Sequence, residues 1–85
     1  MMLDELASKY IQKADRVFDT IRVPEKVKSV EAESVKEVLE EAKRYLEDAK
    51  FYLEKRRLET SLASVAYCEG LLDALRLMCL VDFSW

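Results

Sequence analysis

The side chains able to do chemistry are few, and most lie in the last third of the chain. Glu69, Asp73 and Arg76 recur at i, i+4 and i+7, which lines them up along one side of a helix. Such a stripe could serve as a charged contact for a partner or, with ligands from elsewhere, as a weak divalent-ion site. The alternative is a solvent stripe in which Asp73 pairs with Arg76 along the helix. Helical carboxylate metal sites normally recruit Glu-x-x-His pairs from facing helices, and the chain has no histidine. No metal or cofactor is therefore expected.

The absence of histidine also removes the commonest general base near neutral pH. The chain has no Gly-rich phosphate loop, no Ser/His or Cys/His pair and no Cys-x-x-Cys. Nothing selects a pair of catalytic carboxylates, and a non-enzymatic role is expected. Cys68 and Cys79 are eleven residues apart. On one helix that separates them by roughly 16 Å, beyond the roughly 7 Å between Cα atoms that a disulfide spans. They read as reduced, buried thiols of a cytoplasmic protein.

Lys50 and the run Lys55-Arg56-Arg57 could touch phosphates. Glu47, Glu54 and Glu59 interleave with them, and no aromatic stacking platform is expected beside them. The net charge of -3 gives no general pull on nucleic acid or anionic lipid. No apolar run reaches the roughly 18 residues of a membrane span, and no charged segment precedes an apolar one at the start. Neither a membrane nor nucleic acid is expected as a partner.

These side chains must be positioned by helices. Eighty-five residues with one Gly and one Pro make a single small domain, residues 1–85. The first helix is expected over about 2–22, where Leu3, Leu6, Ala7, Tyr10, Ala14, Val17, Phe18 and Ile21 form one apolar stripe. Pro24 stops it, and a charged connector with a turn of helix is expected up to Glu33. The second helix is expected over about 34–55, with Val35, Val38, Leu39, Ala42, Leu46, Ala49 and Leu53 as its seam and Tyr45 and Tyr52 on the edge. The third is expected over about 58–80, after a tight turn at Arg56-Arg57.

That third helix differs from the others. Among residues 58–81, sixteen are apolar, and a helix apolar nearly all round is normally buried on most sides. Two neighbours in a small bundle do not cover so much. Ala63, Ala66, Gly70 and Ala74 fall at small-residue spacing, and a mid-helix Gly costs roughly 1 kcal/mol relative to Ala. Close approach of a helix is the expected reason, favouring one of the chain's own. The tail aromatics Phe83 and Trp85 either fold back on the bundle or extend an exposed patch.

The hairpin formed by the second and third helices resembles a short archaeal family of helical proteins of unknown function. The pattern Tyr-x-x-Asp-Ala-x-aromatic-aromatic-Leu-Glu is carried by Tyr45, Asp48, Ala49, Phe51, Tyr52, Leu53 and Glu54. The pattern Tyr-x-x-Gly-x-Leu-Asp-Ala is carried by Tyr67, Gly70, Leu72, Asp73 and Ala74. The likeness covers roughly residues 40–80. It departs at the turn, where Arg56-Arg57 stands for a Gly-Asp of the family and leaves the third helix without an accepting N-cap. The resemblance implies an all-helical cytosolic protein and no activity. A weaker likeness is to the helical hairpin of HEPN-group domains, whose nucleases use an Arg-x(4–6)-His motif that this chain lacks.

The expected architecture is therefore all-α, a three-helix up-down-up antiparallel bundle. The expected role is an interaction module whose third helix buries its surplus apolar face through self-association, with another protein as the other partner. Leu71, Leu75 and Met78 are the leading contact residues, followed by Phe51, Phe83 and Trp85. On this reading Leu75→Asp cuts association without unfolding the monomer. The other reading is a nucleic-acid accessory domain using the Arg56-Arg57 turn.

Overall fold

Three apolar stripes become three helices. The computed structural model describes residues 1–85 except Lys28 and the side chains of Ser29 and Val30. α1 spans Leu3–Thr20, α2 Ser29–Glu54 and α3 Leu58–Leu77, with no strand among the described residues. Contacts between α2 and α3 pair Tyr45 with Tyr67 and Ala49 with Ser61, so those helices run antiparallel. Asp15 against Lys50 and Asp4 against Arg56 fix α1 antiparallel to α2. The bundle is up-down-up, measures 42 × 20 × 18 Å, and has its most extensive contact between α2 and α3.

α1 buries Ala7, Ile11, Ala14 and Val17 at steps of four, three and three, one stripe of an amphipathic helix. Asp4 and Glu5 place negative charge in its first turn, where the helix dipole favours it. The helix stops at Thr20, where Ile21 turns extended and Arg22 leaves for backbone hydrogen bonds with Asp82, before Pro24 is reached.

α2 begins at Ser29, five residues before the expected Ser34. Glu and Lys are good helix formers, and Glu31 in the first turn complements the dipole. Charge density thus marked a solvated helical turn rather than a connector. The part of the expected connector at Lys28 lies outside the described residues.

Both later helices end in one way, with a non-glycine residue in the left-handed region. After α2, Arg56 has φ 60°. The Arg56 N–H donates to the Leu53 carbonyl at 3.1 Å and the Arg57 N–H to the Tyr52 carbonyl at 2.9 Å. After α3, Cys79 has φ 61°, its N–H donates to the Arg76 carbonyl, and the Leu80 N–H to the Leu75 carbonyl, both at 3.0 Å. These are Schellman stops, which glycine usually fills. They end α3 at Leu77 rather than Leu80. Arg57, at the N-cap of α3, makes no side-chain cap bond.

The main core gathers Ile11, Ala14, Val17, Ala42, Leu46, Ala49, Val65, Cys68 and Leu72. A smaller one joins Val35, Leu75 and Val81 at the other end of the α2–α3 pair. Ser61 is fully buried between α2 and α3, where its hydroxyl donates to the Ala49 carbonyl at 2.7 Å. After α1, Arg22 exchanges two backbone hydrogen bonds with Asp82 at 3.0 and 2.8 Å, reinforced by a 3.1 Å ion pair between their side chains.

Candidate functional site

The charged stripe of α3 holds the tail. Asp73 Oδ1 accepts the Trp85 indole N–H at 2.8 Å and both Nε and an Nη of Arg76 at 3.3 and 3.1 Å. Those donors, the indole first, hold the Asp73 carboxyl below the usual aspartate range. The Lys13 ammonium of α1 lies 4.9 Å from the centre of the Trp85 ring, a cation–π contact. Burial pushes the Glu69 carboxyl upward, with Lys13 opposing the shift and Asp73 adding to it. Glu69 borders a cleft of about 360 Å³ with Tyr10, Leu62, Val65 and Ala66. No cluster of three metal-ligating side chains occurs among the described residues.

The tail therefore folds back. Phe83 and Trp85 meet edge to face, centroids 5.1 Å apart, and both pack on the main core. They cover the α1 side of α3 and leave its back uncovered.

The apolar candidates separate into three groups. Leu75 is only 5% exposed, packed with Val35 and Val81. It is a core residue and not a surface contact, and Leu75→Asp would bury a charge and unfold the bundle. The error is one of phase, because a helix apolar all round does not show which side meets its neighbours. Leu71 is half-buried between the main core and the surface, whereas Met78 is 66% exposed. Phe51 is 52% exposed, far from both, and stacks edge to face on Tyr52.

Gly70 meets no helix of its own chain. A Cβ built there has nothing within 4 Å, so the expected close approach by a neighbouring helix of the bundle is corrected. Around it Ala63, Ala66, Tyr67, Ala74 and Leu77 are all exposed, and Arg76 lies round toward the tail. The back of α3 from Ala63 to Met78 is an uncharged strip.

At the hairpin tip the expectation of no accompanying aromatics is also corrected. The Lys55 ammonium sits 5.5 Å from the Phe51 ring centre and the Arg57 guanidinium 5.3 Å from that of Tyr52. Arg56 pairs with Asp4 at 3.3 Å.

Sequence reasoning missed a groove. It has a volume of about 380 Å³ and runs between the first half of α2 and the end of α3, with Val35, Val38, Leu71, Leu75, Met78 and Leu80 among its lining residues. Its signal was present in Val35 and Val38, which share a face three residues apart, but the missing start of α2 hid its length.

Both cysteines are free, and Cys68 is buried as expected, but Cys79 sits at the left-handed stop after α3 and is exposed, which corrects the expectation of two buried thiols. Burial pushes the Cys68 thiol up to about 12. No helix among the described residues is long and apolar enough to cross a membrane.

A family model described as "Protein of unknown function (DUF357)" matches residues 9–81. The match reaches beyond the hairpin into α1. No curated protein and no solved structure matches the chain.

Proposed function

We propose, for a chain that belongs to DUF357, a family of proteins of unknown function, a non-enzymatic role as an interaction module that self-associates through the back of α3. The carrying observation is Gly70: a mid-helix glycine costs roughly 1 kcal/mol relative to alanine, and nothing in its own chain approaches within 4 Å. Close approach by a second chain accounts for it. The strip is arranged symmetrically about this residue. Ala63 and Leu77 lie equally far from Gly70 on either side, as do Ala66 and Ala74. A copy of α3 crossing antiparallel at Gly70 sets Ala63 against Leu77 and Ala66 against Ala74, the self-complementary contact of a two-fold dimer.

Light scattering after size exclusion, over a hundredfold range of concentration, tests this. The wild type should shift from dimer to monomer on dilution. Gly70→Leu, whose side chain enters open space in the monomer, should stay folded and monomeric throughout. A Gly70→Leu protein with the mass profile of the wild type would sink the reading.

The second reading is a nucleic-acid contact at the Lys55-Arg56-Arg57 turn. Phe51 and Tyr52 beneath its cations favour it, while the Arg56–Asp4 pair and the net charge of -3 weigh against it. Binding to single-stranded RNA that weakens as salt rises would support it. No binding at low salt would remove it.

A further inference from the structure

We draw no further inference here: the strongest candidate, the apolar groove between the first half of α2 and the end of α3, shares Ala74 and Met78 with the α3 strip, and nothing in the structure shows what covers it.

Discussion

Trp85 is tied to Asp73 by a 2.8 Å hydrogen bond across twelve residues, and the same carboxylate oxygen receives Arg76. A stripe that could have been a ligand site is occupied by the protein's own tail. The aspartate is partly exposed, so solvent screens the pair, and its main effect is to place the indole.

That placement is pH-dependent. Because the Asp73 carboxyl is held below the usual aspartate range, its contribution is complete above the unfolded pKa and is lost as pH falls through the folded one. Trp85 emission should shift to the red on acidification through that window. In Asp73→Asn the acid step should shrink, and an unchanged step would assign it to other carboxylates.

Leu75 and Leu77 should behave as opposites. Leu75→Ala empties part of the smaller core and should cost roughly 2–5 kcal/mol, whereas Leu77→Ala, at a site 74% exposed, should stay within about 0.5 kcal/mol of the wild type. Urea denaturation at a concentration where the wild type is monomeric decides between them.

Replacing Cys79 with glycine should stabilise the fold. A non-glycine residue in the left-handed region costs roughly 1–2 kcal/mol, and part of that is offset by the greater backbone freedom of glycine in the unfolded chain. A gain of about 1 kcal/mol should raise the Tm by roughly 4–8 °C in a domain of this size. Arg56→Gly should gain less, since it also breaks the pair with Asp4. A Tm lowered in Cys79→Gly would contradict the strain argument.

Ser61→Ala removes the buried hydroxyl that joins α3 to the Ala49 carbonyl and should cost about 1 kcal/mol. Chemical denaturation with an unchanged m-value is the check.

Thiol titration should resolve the two cysteines. Cys79 is exposed and should react with a disulfide reagent in the native protein, while Cys68, buried and pushed up to about 12, should react only after denaturation. Two fast thiols in the native state would refute this.

Helix periodicity was legible wherever one face is apolar and the other is not. α1 reads directly, because Ala7, Ile11, Ala14 and Val17 mark a single side. α3 could be located but not oriented. Its composition is apolar on nearly every side, and the side that becomes core is chosen by Val35 and Val81, distant in sequence. Leu75 was therefore misassigned. The end of α3 was obscured because Cys79 stands where a glycine would announce the stop. Ser61 looked like any helical serine, since its value lies in a carbonyl on another helix.

The paired backbone bonds between Arg22 and Asp82 bear on the order of assembly. The α2–α3 hairpin closes over a three-residue turn, whereas this clip joins positions sixty residues apart, and the entropy of closing a loop grows with its length. The hairpin can therefore form on local contacts first, with the clip fastening late. Val81, between the clip and the smaller core, comes to rest only then. Leu80 follows with it, so the end wall of the groove belongs to the last-formed part of the molecule. In hydrogen exchange, the Arg22 and Asp82 amides would open ahead of the hairpin and report the groove's closure.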